Sequence, residues 1–423
     1  MAPSASLTSS QLINGDIPVP KAPVASVTEI SNGDVATPSV DDQNSRFALY
    51  KNPSLFVTPN HTIHLKESSI PRIRSTEVLI HVRVTGICGS DLHLWHRGAI
   101  GPLVVNHSHI LGHEASGVVL EVGSAVTHLA PGDRVAIEPQ VPCQMCFLCT
   151  SGKYNLCEKV AFSGVCHGGT IRRFLAHEAR YCHKLPDSMT FAQGALLEPL
   201  SVILHAIRQC KGSIGIGQPV LVCGAGPIGL IALAAARASG AWPLVITDVE
   251  ESRLDFARQF VPGCQTYHVQ PSKSPLQASE EIRLLFGCAG GRDVEKGIPD
   301  AGEYHAPTTV LECTGVEASV VTAAYSCRRA GVVMVVGVGR SIMNNLPFMH
   351  LSLAEIQLRF INRYSDTWPA GINALANGQV LNLDALVTHT FPLQEAVEAM
   401  KVCSDPTKRS IKVQIVDDQE IVP

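Results

Sequence analysis

The sequence lacks the features that direct a chain into or across a membrane. None of its apolar runs reaches the roughly 18 residues that a bilayer-spanning helix needs. The first 20 residues contain no Arg, and they lack the basic flank and apolar block of a secretory signal. Asp16 in the same stretch argues against a mitochondrial transit peptide. We therefore expect a cytoplasmic protein that does not bind membranes.

The sequence also lacks an excess of basic charge. Its 33 Lys and Arg residues stand against 37 Asp and Glu residues, and no basic stripe appears. Nucleic acid and anionic membrane surfaces are therefore not expected partners. With 45% hydrophobic and 17% charged residues, the composition is that of a globular protein. Because 423 residues exceed what one hydrophobic core usually supports, two domains are expected.

The character of the chain changes along its length. Residues 1–45 are rich in Ser, Pro, Ala, Val and Thr, with almost no aromatic residues, and we predict a disordered tail. Residues 46–202 alternate short apolar runs with turn signals, which predicts an irregular β-rich domain. In residues 203–361 buried strands alternate with helices, which predicts an α/β domain with a doubly wound parallel sheet. Residues 362–423 end in an apparent strand, RSIKVQIVDD, that we expect to complete the first domain.

The long polar segment 287–307 interrupts the second domain. It is rich in Gly, and we predict an exposed loop there.

A glycine-rich turn carries the clearest cofactor signal. The motif Gly224-Ala-Gly226-Pro-Ile-Gly229 follows a predicted strand, opens a predicted helix and is followed about 20 residues later by Asp248. In a dinucleotide site the first glycine permits the tight turn, the second lets the pyrophosphate approach, and the third lets helix and strand pack closely. The free N–H groups at the helix start favour bound phosphates.

Asp248 favours NAD over NADP, because its carboxylate can accept hydrogen bonds from the adenine ribose and would repel a 2′-phosphate. Arg253 could instead bind that phosphate, so NADP remains an alternative cofactor. From this segment alone, S-adenosylmethionine is a further alternative.

Four of the fourteen cysteines cluster in the pattern C-x2-C-x2-C-x7-C, at Cys143, Cys146, Cys149 and Cys157. Four thiolates can close a tetrahedron around Zn²⁺ and leave no open position, which predicts a structural zinc. An iron–sulfur cluster is the alternative for the same residues.

A second set of possible ligands is dispersed. Cys88 follows a predicted strand, and His113-Glu114 is not a metalloprotease motif because Gly117 stands where the second His would be. Glu198 lies in an apolar run, where a buried carboxylate needs a partner such as a cation. By themselves these residues could equally be structural.

Taken together, these segments resemble the zinc-containing medium-chain dehydrogenase/reductase family. The stretch from Gly112 to Val126 is similar to its zinc signature, and G-I-C-G-S-D around Cys88, the four-cysteine stretch and G-A-G-P-I-G occur in the family's order. The resemblance extends from about residue 46 to the C-terminus. It implies a GroES-like catalytic domain and a Rossmann domain.

Within that family the chain resembles the polyol dehydrogenases, above all those acting on L-arabinitol. The fragments that carry this are A-L-L-E-P-L-S-V, L-E-C-T-G-V-E-A-S and R-Y-S-D-T-W-P. The resemblance implies oxidation of a polyol to a ketose with hydride transfer to NAD⁺, L-arabinitol to L-xylulose first, with sorbitol or xylitol as alternatives. It also implies two Zn²⁺ per chain and a homotetramer.

The resemblance further implies roles for individual residues near the metal. Cys88, His113 and Glu114 would line a catalytic zinc, with Glu198 as a direct or water-mediated ligand. Ser90 and His93 would carry the released proton outward, although a water chain could replace His93, and Asp91 would support a zinc ligand.

Cofactor and substrate contacts are implied in the same way. Arg363 and Tyr364 would meet the hydroxyl groups of the substrate. NAD would be contacted by Gly224, Gly226, Pro227, Ile228, Gly229, Asp248, Arg253, Val336, Gly337, Val338, Ile361, Asn362 and Arg363.

Two other hypotheses for the function are compatible with the sequence. A simple-alcohol or threonine-type dehydrogenase could use the same scaffold. A non-catalytic NAD-binding protein could also use this scaffold, although the presence of Cys88, His113, Glu114 and Glu198 favours an enzyme.

Overall fold

The structure, a computed structural model, describes residues 46–101, 103–165, 167–288, 301–376, 378 and 380–423. The predicted tail, residues 1–45, lies outside the described residues. Residues 49–423 group together as one unit of mutual contacts.

The strands of the N-terminal part are short, apart from two long central ones. They are β1 (Pro53–Val57), β2 (Ile63–Glu67), β3 (Glu77–Gly86), β4 (Ala99–Ile100), β5 (Leu103–Val104), β6 (His109–Ile110), β7 (Glu114–Val122), β8 (Arg134–Ile137), β9 (Gln140–Val141), β10 (Ala161–Phe162), β11 (Phe174–Glu178) and β12 (Cys182–Lys184).

The remaining strands fall into two groups. They are β13 (Val220–Cys223), β14 (Leu244–Asp248), β15 (Gln265–His268), β16 (Thr309–Glu312), β17 (Val332–Val335) and β18 (Gln357–Phe360), then β19 (Val387–Pro392) and β20 (Lys412–Val416).

The helices are concentrated in the second half of the chain. They are α1 (Gly89–Arg97), α2 (Phe147–Thr150), α3 (Phe191–Ala195), α4 (Leu197–Gln209), α5 (Pro227–Ala238), α6 (Glu251–Phe260), α7 (Pro275–Leu285), α8 (Ala301–His305), α9 (Glu317–Ser326), α10 (Phe348–Leu353), α11 (Trp368–Leu375) and α12 (Ala396–Ser404). Short 3₁₀ turns lie at Tyr154–Leu156, Ala179–Tyr181, Asp384–Leu386, Leu393–Glu395 and Pro406–Lys408.

The main sheet of the first part is built around β3. Its strand order is β12-β8-β7-β3-β20-β19, and β11 also pairs with β3. Because neighbours cover β3 along its length, most of its ten residues are buried on both faces. The C-terminal strand β20 pairs antiparallel with β3, with Ile415 opposite Thr85. The chain therefore returns to its first sheet after leaving the second one.

The second sheet is parallel, with the order β15-β14-β13-β16-β17-β18. This confirms the predicted doubly wound α/β architecture. Alternate residues of β13 face opposite sides: Val220 and Val222 belong to one core cluster, Leu221 and Cys223 to the other. Both faces are covered, which explains the continuous apolar runs of these strands.

Two local expectations differ from the structure. The predicted loop 287–307 contains the short helix α8, so the loop prediction is wrong for residues 301–305. The predicted boundary at residue 202 falls inside α4, so the two parts share one continuous helix. Among the described residues, the helices are all too short or too polar to traverse a bilayer.

A buried ion cluster fixes the end of β20. The Asp417 carboxylate accepts hydrogen bonds from Arg173 Nε at 2.6 Å and Nη2 at 3.2 Å, and lies 3.1 Å from His81 Nε2. The Asp417 amide donates to the carbonyl oxygen of Arg83 at 3.0 Å. Burial raises the pKa of Asp417, but the hydrogen bonds from His81 and Arg173 outweigh it and lower the pKa to about 2. The cluster therefore stabilises the returning strand as a charged unit.

Replacing this carboxylate should destabilise the protein. Asp417→Asn leaves the buried Arg173 guanidinium without its carboxylate, and we expect a loss of about 3 to 5 kcal/mol in the free energy of unfolding. The neighbouring Asp418, whose side chain is 84% exposed, provides the matched control. Asp418→Asn should change stability by less than about 0.5 kcal/mol. Urea denaturation of both variants measures the difference, and equal midpoints would contradict it.

Candidate active site

Three possible metal ligands meet where β3 ends and β7 begins. Cys88 caps the start of α1, and His113 and Glu114 lie at the start of β7. The pairing of β3 with β7 places Gly86 opposite Glu114. A ligand atom of Cys88, of His113 and of Glu114 all lie within 4.8 Å of one another. A side chain at Gly86 would not fit, because its Cβ would lie 2.2 Å from Glu114 Oε2.

Asp91 holds the two loops that carry these ligands. Its carboxylate accepts hydrogen bonds from the Cys88 amide at 2.9 Å and the Gly112 amide at 3.0 Å. Its Oδ1 lies 3.7 Å from His113 Nδ1, and Asp91 is fully buried. Burial lowers the pKa of His113, but the nearby Asp91 carboxylate and Cys88 outweigh this effect, and the pKa lies well above its usual value. Asp91 thus connects the loop of Cys88 with the loop of Gly112, next to His113.

Lys412 completes the charge balance, and the sequence analysis missed it. Its Nζ lies 2.7 and 2.9 Å from the two carboxylate oxygens of Glu114 and donates to the carbonyl oxygen of Ile87 at 3.1 Å. Burial lowers the pKa of Lys412, but Glu114 and Cys88 outweigh it and raise the pKa above its usual value. The available signal was a lysine at the start of a largely apolar strand, KVQIV. Glu114 therefore already has a cationic partner within the protein.

Glu198 lies near this group but outside its 4.8 Å radius. It is on the first turn of α4 and 5% exposed. Burial raises the pKa of its carboxyl to about 7; the charge of His113 opposes this effect, and Glu114 adds a smaller increase. The hydroxyl of Tyr364 faces this carboxyl but, fully buried, has no hydrogen-bond partner at standard geometry. A polar ligand entering here would find an unpaired hydroxyl and an electron-rich carboxyl.

The two residues predicted to handle the proton are placed differently. The Ser90 hydroxyl lies 3.3 Å from His113 Nε2, so it faces the metal ligands directly. The ring of His93, on α1, is half-buried. Burial lowers its pKa, and the charges of Arg97 and His96 lower it further by smaller amounts. Among the described residues, the structure shows no hydrogen bond between Ser90 and His93.

His109 is another buried histidine in the first part of the chain. It lies in β6, is 8% exposed, and its Nε2 has no hydrogen-bond partner in the described part of the chain.

The four cysteines of the predicted structural site converge. Their four sulfur atoms all lie within 4.8 Å of one another. Cys146 Sγ is 3.4 Å and Cys143 Sγ 3.9 Å from Cys149 Sγ. Zinc–sulfur bonds of about 2.3 Å would place tetrahedral sulfurs roughly 3.8 Å apart, so the set fits Zn²⁺. Hydrogen bonds from the Met145 and Cys146 amides lower the pKa of Cys143 to about 6, which favours the thiolate that metals bind.

The glycine-rich turn has the geometry that a dinucleotide requires. Gly224 has φ +97°, a conformation that side-chain-bearing residues rarely adopt. A Cβ at Gly229 would lie 1.8 Å from the carbonyl oxygen of Gly224, so helix and strand approach too closely for another residue. A Cβ at Gly226 would meet nothing within 4 Å, which leaves open space at the start of α5. The cradle thus fits a pyrophosphate.

The other residues predicted to contact the cofactor follow aligned strand ends. Asp248 ends β14, and its carboxylate accepts from the Ala225 amide at 2.6 Å and the Glu250 amide at 2.9 Å. Arg253 Nη1 lies 4.0 Å from Asp248 Oδ2. The strands are parallel, so their carboxyl ends share one edge of the sheet. The predicted contacts at that edge are Pro227 and Ile228 at the start of α5, Val336, Gly337 and Val338 after β17, and Ile361, Asn362 and Arg363 after β18.

Arg363 connects this edge with the metal ligands. Its guanidinium lies over the ring of Phe162 at 5.1 Å, and that ring is 5.3 Å from the ring of His113. The segment after β18 thus lies next to the predicted metal ligands.

Comparison with known proteins agrees with this geometry. Residues 74–187 match the model of the alcohol dehydrogenase GroES-like domain, and residues 227–377 match that of the zinc-binding dehydrogenases. An L-arabinitol 4-dehydrogenase of Aspergillus oryzae is 47% identical over 380 residues, 88% of this chain and 96% of that protein. A sorbitol dehydrogenase of Macaca fascicularis is 42% identical over 352 residues, 83% of this chain and 92% of that protein.

Solved structures show the same two-part architecture. L-idonate 5-dehydrogenase from Escherichia coli superposes with a TM-score of 0.74 at 28% identity, over 87% of this chain and 98% of that one. 2R,3R-butanediol dehydrogenase from Bacillus subtilis gives a TM-score of 0.74 at 27% identity, over 87% and 100%. With its GroES-like first domain, its Rossmann sheet and these matches, the chain belongs to the family of zinc-binding dehydrogenases.

Proposed function

We propose that the protein oxidises a secondary alcohol of a polyol to a ketose with NAD⁺, and that L-arabinitol, giving L-xylulose, is its main substrate. The observation that carries this is the convergence of Cys88, His113 and Glu114 beside Arg363 and Tyr364. The 47% identity to an L-arabinitol 4-dehydrogenase supports the choice of substrate.

The donor sets support two zinc ions per chain. Cys88 and His113 would hold the catalytic one, with Glu114, Glu198 or a water completing its ligands. When bound there, Zn²⁺ would act as a Lewis acid that lowers the pKa of the substrate hydroxyl. The four cysteines would hold the second ion in a closed shell, which leaves no position for a substrate.

The chain's own residues would orient the polyol and take up its proton. Arg363 and Tyr364 present a guanidinium and a buried hydroxyl to the substrate's hydroxyl groups. The Ser90 hydroxyl, next to His113, would accept the proton and pass it outward. His93, on the same helix, could then accept that proton, directly or through water; burial lowers the pKa of its imidazole.

Asp248 supports NAD over NADP. Its buried carboxylate stands at the strand end where an adenine ribose would lie. Arg253 lies close to this carboxylate, so its charge is partly balanced by Asp248 rather than free for a phosphate. NAD, when bound, would accept the hydride.

Sorbitol and xylitol are the alternative substrates, and the 42% identity to a sorbitol dehydrogenase favours the former. The proposal also includes a location in the cytoplasm and a homotetramer, which the family resemblance implies. Light scattering of the purified protein tests the subunit number.

Removing the thiolate at the proposed catalytic zinc should abolish the reaction. In Cys88→Ser, we expect one zinc per chain instead of two, and NADH formation from L-arabinitol at least about a thousandfold slower. The control is Cys264→Ser, at a buried cysteine just before β15 whose sulfur donates to the Ala257 carbonyl, as a serine hydroxyl also can. It should keep both ions and full activity. A Cys88→Ser protein with unchanged metal content and rate would refute the proposed role.

The cofactor preference should depend on Asp248. Asp248→Asn retains the size of the side chain but removes the charge, so we expect kcat/KM for NAD⁺ to fall about tenfold and the preference over NADP⁺ to narrow. Initial rates with both cofactors measure this. A wild-type protein that prefers NADP⁺ would show that Arg253, and not Asp248, determines the cofactor preference.

A further inference from the structure

We propose that the four-cysteine lobe positions the substrate-binding segment through a hydrogen-bond network centred on Glu138 and Tyr154. The cysteine lobe is residues 143–157, and the substrate segment is residues 361–366. The inference rests on the proposed function only in assigning the polyol to this segment. It assigns Glu138, Tyr154 and Asn155 a positioning role, whereas the sequence analysis gave the lobe only a structural zinc.

Both ends of the substrate segment are tied directly to the lobe. The Tyr154 hydroxyl accepts a hydrogen bond from the Asp366 amide at 2.8 Å and donates to Glu138 Oε1 at 2.9 Å. The Asn155 side-chain amide donates to the carbonyl oxygen of Asn362 at 2.8 Å. The lobe therefore holds residues on both sides of Arg363 and Tyr364.

Glu138 ties the middle of the segment to the same point. It follows β8, is 2% exposed, and accepts from Tyr154, from Gln140 Nε2 at 3.1 Å and from His183 Nε2 at 2.9 Å. Gln140 Nε2 also donates to the carbonyl oxygen of Tyr364 at 2.6 Å. A buried carboxylate with this many donors is held in one place, because the loss of any of these hydrogen bonds would leave its buried negative charge less compensated.

The substrate segment needs such anchors because its backbone is strained. Arg363 has φ +56° and Asp366 has φ +52°, left-handed conformations that cost a non-glycine residue on the order of 1 kcal/mol or more each. Such conformations persist only where the surroundings impose them. Here they direct the Arg363 guanidinium over Phe162 and the Tyr364 ring towards Glu198. Arg208 on α4 also holds the end of the segment, by donating to the carbonyl oxygens of Ser365 at 3.2 Å and Asp366 at 2.7 Å. The anchors from the lobe are those that bracket the two substrate-binding side chains.

Hydrogen–deuterium exchange of the full-length protein tests the network without reference to any substrate. Tyr154→Phe removes the hydroxyl that binds the Asp366 amide, so exchange in peptides covering 361–368 should become at least about tenfold faster. Ser151→Ala is the matched control, because it also removes a lobe hydroxyl, whose partner is the Leu148 carbonyl within the lobe. It should leave those peptides unchanged. Unaltered exchange in Tyr154→Phe at full zinc content would overturn the proposal.

Asn155→Ala provides a second variant at the other anchor, should Tyr154→Phe fold poorly. It should speed exchange near Asn362 while zinc content stays at the wild-type value. Unchanged exchange there would overturn the proposal equally.

Steady-state kinetics separate positioning from general structural support. We expect Tyr154→Phe to raise KM for L-arabinitol about tenfold with kcat within about twofold. This increase should disappear when Arg363 is already replaced by Ala, because Tyr154 would act through that side chain. Independent, multiplying effects of Tyr154→Phe and Arg363→Ala would contradict the positioning role. If the wild type oxidises no polyol, the proposed function fails, and the exchange measurement alone then decides this inference.

Discussion

The constraint on which the structure depends is the cluster of buried charged groups where β3 meets β7. Glu114, Glu198, His113 and Lys412 are each at most 5% exposed and cluster where β3 meets β7. Ionised groups taken out of water destabilise a protein by several kcal/mol each unless they are paired. Lys412 pairs with Glu114, whereas burial raises the pKa of Glu198 to about 7, so additional positive charge nearby would stabilise the ionised form of this carboxyl. A divalent cation held by Cys88 and His113 would supply that charge.

The remainder of the fold places a cofactor edge next to this point. The first sheet is closed by the returning strand β20, which also brings Lys412 to Glu114. The second sheet aligns its strand ends so that the glycine turn, Asp248 and the segment after β18 face one edge. Arg363, above Phe162, joins the two. Chemistry at this junction therefore requires both sheets, and neither could bind metal, cofactor and substrate alone.

What the sequence predicted correctly was encoded locally. The glycine motif, the four clustered cysteines and the apolar strand runs each lie within a few residues, and the structure has the corresponding turn, sulfur cluster and sheets. What it missed arises from contacts between distant parts of the chain. Lys412 and Glu114 are 298 positions apart, and Tyr154 and Asp366 are 212 apart. No periodicity or spacing relates such pairs, so the sequence does not show which distant residue a lysine in a strand or a tyrosine in a 3₁₀ turn contacts.

The most direct test of the account is the location of metal in the folded protein. Crystals of the full chain, measured at the zinc absorption edge, should give two anomalous peaks: one between Cys88 and His113, the other among the four clustered cysteines. A single peak, confined to the cysteines, in protein that oxidises the alcohol at full rate would contradict it. The buried charge at the junction would then have to be satisfied without a metal.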